Sequence, residues 1–144
     1  MKIISFFKVS NKDRWLFFEA FLLIAVARIA IRFFSFKKLM TYLGEPQKEL
    51  PITVLSAEEK RFHLQISRAI KRSARYSFWH TMCYEQALTA KLMLRRRNID
   101  ATIYIGMMKN PTKGLEGHAW IRTGNYILTG NHQLEKYTIV GIFS

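Results

Sequence analysis

The chain has 144 residues, 49% of them apolar, and 23 Lys and Arg against 10 Asp and Glu, for a formal charge of +13. That length suits one domain with a real core, residues 1–144, and excludes two of ordinary size; the apolar content excludes a disordered chain. Its single cysteine excludes an intramolecular disulfide and a four-cysteine zinc site, and suits a cytoplasmic, reducing setting.

The first apolar cluster, Ile3-Ile4-Ser5-Phe6-Phe7, is cut off by charge and is too short for a signal-peptide core. Residues 11–36 then predict a long helix, opening a helical N-terminal region that extends to about residue 45. Glu19, Arg28 and Arg32 interrupt it, and each central charge costs roughly 2.5–3.5 kcal/mol on insertion scales, so it is not expected to span a bilayer. At 100° per residue Arg14, Arg28 and Arg32 share one narrow face. The pattern therefore predicts a core helix with a solvated arginine stripe. Its wide apolar face leaves docking to a partner, or peripheral contact with a membrane surface, as the alternative.

Residues 44–51 read as a connecting loop. Ser56-Ala57-Glu58-Glu59 carries a capping-box signature and starts a helix to about Ala74, with Phe62, Ile66, Ala69 and Ile70 at helical spacing. Lys60, Arg61, Arg68, Lys71 and Arg72 make its other face basic. His63 falls on the polar side of this helix and His132 in a terminal loop, and neither is expected to act chemically.

Tyr76 to Met82 break the pattern before a helix that begins at Cys83 and ends near Arg95-Arg96-Arg97-Asn98. Cations at the negative end of the helix dipole account for that run without a nucleic-acid partner. Strands are expected at 101–108, at 118–122 and at 126–129, with a loop over 109–116 and a hairpin turn at Thr123-Gly124-Asn125. A last strand is expected within 135–143.

Cys83 at a loop-to-helix junction and His118 in Gly117-His118-Ala119-Trp120 are the residues that point to chemistry. A helix N-terminus offers N–H groups to a thiolate and to an oxyanion, and the imidazole can act as base and then acid. Trp79, His80 and Trp120 are candidates for the cleft or the oxyanion hole. A third group must orient the imidazole, and an asparagine carbonyl can do so in a Cys-His-Asn arrangement; Asn131 is the expected one. Cys83, His80 and His118 have no tight metal-ligand spacing, so neither a metal nor a cofactor is implied. A non-catalytic basic adaptor that binds an anionic partner, with Cys83 and His118 as core residues, is the rival reading, and a transglutaminase-like acyltransferase with an amine in place of water is another.

The series Phe78-Trp79-His80-Thr81-Met82-Cys83-Tyr84-Glu85-Gln86-Ala87-Leu88, Leu94-Arg95-Arg96-Arg97, Ile103-Tyr104-Ile105-Gly106, Gly117-His118-Ala119-Trp120 and Leu134-Glu135-Lys136-Tyr137-Thr138 resembles the lasso peptide leader peptidases. These form the transglutaminase-like half of the lasso maturation B protein. Asp13-Arg14, Glu19-Ala20 and the stretch from Phe36 to Gly44 match as well, so the resemblance covers nearly the whole chain. It implies an α+β, papain/transglutaminase-like fold: N-terminal helices and a nucleophile helix packed on a small antiparallel sheet, with the catalytic core in residues 76–144. It also implies a cysteine peptidase acting at the leader–core junction of a precursor peptide, in the split form served by a separate leader-recognition protein. A lasso cyclase then closes the ring. The basic surface and first helix are the expected docking faces. The family's third residue is usually aspartate, and Asn131 stands at or next to that place.

Overall fold

The computed structural model describes residues 9–144, so the cluster from Ile3 to Phe7 lies outside the described residues. Among the described residues four helices precede the strands: α1 (Asn11–Phe33), α2 (Phe36–Leu43), α3 (Ala57–Tyr76) and α4 (Cys83–Arg95). Strands β1 (Thr102–Asn110), β2 (Gly114–Thr123), β3 (Tyr126–Thr129) and β4 (Thr138–Phe143) follow, with a short 3-10 turn at Leu134–Lys136 before the last. The strands form one antiparallel sheet in the order β3-β2-β1-β4. This is the expected α+β architecture of helices on a small antiparallel sheet.

Local chemistry sets the element ends. Ser10 caps α1 by accepting the Asp13 N–H. The chain turns extended at Phe34, and Ser35 caps a separate α2 by accepting the Lys38 N–H. Serine at these positions takes donors that a helix start leaves unpaired. The box at Ser56 and Glu59 is formed in both directions, and its hydrogen bonds with Ser56 hold the Glu59 carboxyl below its usual range. The loop expected over 109–116 is shorter than the sequence suggests. The Asn110 side chain accepts the N–H groups of Thr112 and Lys113, which closes the turn tightly and lets pairing run out to Asn110 and Gly114.

Helix α4 lies at the centre. Ala87, Leu88, Thr89, Ala90, Lys91, Met93 and Leu94 are all buried, so most of its surface faces the core. Lys91 tolerates this by donating to the Ala101 carbonyl, and burial pushes its ammonium below the ordinary lysine range. Around α4 pack Leu16, Ala20, Ile24 and Ala27 of α1, Ile66 and Ile70 of α3, and Ile103 and Ile121 of the sheet. His63, expected on a polar face, is 3% exposed instead; α3 turns that side inward, and its Nδ1 has no internal partner.

Two ties fix α4 to α1. At one end Arg97 clamps Glu19 with both terminal nitrogens, at 2.9 and 2.6 Å. At the other, Arg28 reaches Glu85 at 3.2 Å and the His80 carbonyl at 3.2 Å. On the far side of the sheet, residues 45–47 form a strap along β4. Glu45 and Ser144 exchange backbone hydrogen bonds, Pro46 bridges to Phe143, and the Gln47 N–H reaches the Ile142 carbonyl.

Glu19 is largely shielded from solvent, so Glu19→Gln leaves Arg97 without its counter-charge. The expected cost is about 1–3 kcal/mol, read as a lower urea midpoint with an unchanged slope. An unmoved midpoint would show that this tie does not hold α1 against α4.

Candidate active site

The preceding loop delivers Cys83 to the first turn of α4. Met82 is the N-cap residue and gives no side-chain acceptor to the helix. The N–H groups that a serine or aspartate would have claimed therefore stay available at the helix mouth. Those of Cys83 and Tyr84 act on the sulfur, and so does the N–H of Ala119 in β2, next to His118. The helix and the strand expected from the sequence thus meet at the thiol.

The approach is close because β2 carries no side chain where Tyr84 crosses it. A Cβ on Gly117 would overlap the Tyr84 hydroxyl and press on Met107 Sδ at 3.2 Å. Phe36, just past the end of α1, packs edge-on against the Tyr84 ring with centroids 4.7 Å apart. Burial raises the Tyr84 phenol above its ordinary range, and the neighbouring Cys83 and Tyr137 add to that.

The imidazole of His118 is held from both sides and from behind. Trp120 lies against one side at 5.8 Å and Tyr137 packs at 5.0 Å. His118 Nε2 lies 2.7 Å from the Gly130 carbonyl oxygen. A carbonyl only accepts, so this contact makes Nε2 the protonated nitrogen and leaves Nδ1 as the lone-pair nitrogen of the neutral ring.

This revises the assignment of the third group. The structure brings the Gly130 carbonyl to the far nitrogen, whereas the side chain of Asn131 is exposed. The cause is local backbone geometry. Gly130 sits at φ 78°, and a Cβ there would collide with the Ala119 carbonyl and lie 2.8 Å from Trp120 Cβ. Glycine is thus required to aim that carbonyl, and the glycine in Thr129-Gly130-Asn131 was the available signal. Backbone orientation has no other signature in the sequence.

The remaining candidates divide. Trp120 is buried and stacks on Tyr104 as well as on His118, so it supports the imidazole from within the sheet. Trp79 packs on Phe21 of α1 with the Arg28 guanidinium 5.6 Å from its ring centre. Its indole N–H is buried with no partner. His80 has an exposed side chain, and the fold uses its backbone carbonyl to receive Arg28. Among the described residues no group of three or more His, Cys, Asp and Glu is placed to hold a metal ion.

Electrostatics set the resting state of the sulfur. Burial pushes the Cys83 thiol above its ordinary range; the N–H groups of Ala119, Tyr84 and Cys83 pull it down, and the Glu116 carboxylate pushes it up again. Burial wins, against the sequence expectation of a thiolate stabilised by the helix dipole. Glu116 also accepts from the Asn110 side chain across the hairpin. The arrangement is a protonated thiol with the N–H groups of Cys83, Tyr84 and Ala119 acting on its sulfur, and beside Ala119 an imidazole whose Nε2 is held by the Gly130 carbonyl. Such a set can take the thiol proton as the sulfur attacks and stabilise an oxyanion.

Residues 22–141 match the transglutaminase-like superfamily, and the chain belongs to that superfamily. Neither the curated proteins nor the solved structures contain a match to this chain. If burial sets the thiol, the alkylation rate of Cys83 by iodoacetamide will rise with an inflection above that of a free thiol, about 8.5. Glu116→Gln is expected to move the inflection down. A rate already on its plateau near neutral pH would mean a preformed thiolate and defeat this account.

Proposed function

We propose that this chain is a cysteine peptidase that removes the leader from a ribosomally made lasso peptide precursor. The observation that supports the chemistry is that the N–H of Ala119, the residue next to His118, acts on the Cys83 sulfur while the Gly130 carbonyl orients the His118 ring. The specific substrate rests on the resemblance of the motif series along the chain, and transglutaminase-like membership is consistent with such acyl chemistry.

The reaction follows from the tautomer. His118 Nδ1 takes the proton of the Cys83 thiol as the sulfur attacks the carbonyl carbon at the leader–core junction. The oxyanion receives hydrogen bonds from the N–H groups at the mouth of α4 that act on the sulfur at rest, that of Cys83 first. As the C–N bond breaks, Nδ1–H protonates the departing amine, which becomes the N-terminus of the core peptide. The leader stays bound to sulfur as a thioester. Water then loses a proton to Nδ1, attacks the thioester, and releases leader carboxylate and thiol. A separate recognition protein presents the leader, and a cyclase uses the freed amine to close its macrolactam.

Incubation of the purified chain with precursor and recognition protein is expected to give free leader by mass spectrometry, and Cys83→Ala is expected to abolish it. Undiminished release by that variant would refute the peptidase reading. The identity of the orienting group is tested separately. Gly130→Ala should lower kcat about 100-fold through misplacement of His118, whereas Asn131→Ala should stay within about threefold, since it takes no hydrogen bond from the ring. The reverse order would restore Asn131 as the third residue.

A further inference from the structure

From the outer face of α1 we infer that the protein docks in the plane of an anionic membrane surface. This inference is independent of the reaction assigned to Cys83. Helix α1 turns Leu16, Ala20, Ile24 and Ala27 inward. On the opposite side Trp15, Leu22, Val26, Ile29 and Phe33 are exposed, Trp15 and Phe33 at 76% and Leu22 at 65%. At 100° per residue these five side chains fall within an arc of about 60°. The stripe spans most of a 23-residue helix, a length of about 35 Å at 1.5 Å per residue. The arginine stripe therefore is not what faces outward from the core: the helix is apolar on both its inner and outer faces, with cations on its flank.

Charge identifies the occupant. Arg14 and Arg32 flank the stripe, and the exposed Lys37 and Lys38 follow directly beyond Phe33. The helix's two carboxylates are both engaged: Asp13 accepts from Ser10, and Glu19 is paired with Arg97 and Arg96. Alongside, α3 presents Arg61, Arg68, Arg72 and Arg75 outward, and the whole chain carries +13. An apolar stripe bordered by cations, with Trp at one end and Phe at the other, fits headgroup phosphates above and acyl chains below. A second copy of the chain would bring like charges together along the same border. No helix among the described residues is long and apolar enough to cross a membrane, so the seat is in the plane of the surface.

The test is flotation of the full chain with phosphatidylcholine vesicles, with and without phosphatidylglycerol. Binding to the anionic vesicles is expected, with a blue shift of Trp15 fluorescence that Trp15→Phe removes. Leu22→Ser with Ile29→Ser should cut partition roughly tenfold or more. Arg32→Gln should cut it about fivefold, and added salt should weaken it. These positions are exposed, so circular dichroism should be unchanged. Absence of binding, or salt-sensitive binding that ignores the stripe substitutions, overturns the proposal. So does a dimer in sedimentation that the same double substitution disperses, which would make the face a protein interface.

Discussion

Helix α4 is buried along most of its surface, and such a helix cannot be oriented by an amphipathic face alone. Its position is set by what it touches at its two ends and by how closely the sheet lets it approach. Glu19 and Arg97 hold one end to α1, while Arg28 ties the other to α1 through Glu85 and the His80 carbonyl. The bare backbone at Gly117 lets Tyr84 settle onto β2. Together these contacts place the first turn of α4 opposite Ala119, and the thiol with it. The long first helix thus serves as the frame against which Cys83 is registered.

The same packing explains the state of the sulfur. Enclosure makes a charged sulfur costly, and three N–H groups do not offset that cost. In the proposed reaction proton transfer therefore accompanies attack, which places the demand on the imidazole. A ring wedged by Trp120 and Tyr137, with its far nitrogen tied to a backbone carbonyl, has its lone pair fixed before any substrate arrives. A carbonyl dipole orients a ring without supplying the full charge of a carboxylate, so in the proposed reaction the imidazolium is stabilised less than it would be beside an aspartate.

Much of this was legible in the residues because the signals are local. Ser56 and Glu59 announce a capping box, the Gly124-Asn125 turn closes its hairpin as expected, and Cys83 opens a helix that runs to Arg95. The features that escaped depend on direction or on tertiary packing. The Gly130 carbonyl has no side chain to recognise. Asn131 suits the role by type and neighbourhood, yet a left-handed glycine turns it outward. His63 looks solvent-facing by its polar neighbours, and only the tilt of α3 against the core buries it. For α1 the composition showed a greasy helix, but not that its outer side would remain bare.

The strap at residues 45–47 carries a consequence for how the molecule behaves in crowded solution. A sheet edge invites strands from other chains, and order β3-β2-β1-β4 makes β4 such an edge. The strap occupies the part from Ile142 to Ser144 with the chain's own backbone, and Pro46 brings no N–H to extend the ladder outward. Exposed Lys48 and Glu49 follow it. Only the short exposed stretch from Thr138 to Val140 lies beyond its reach, a template too brief for intermolecular pairing to propagate. The β4 edge is thereby guarded against the addition of a strand from another chain.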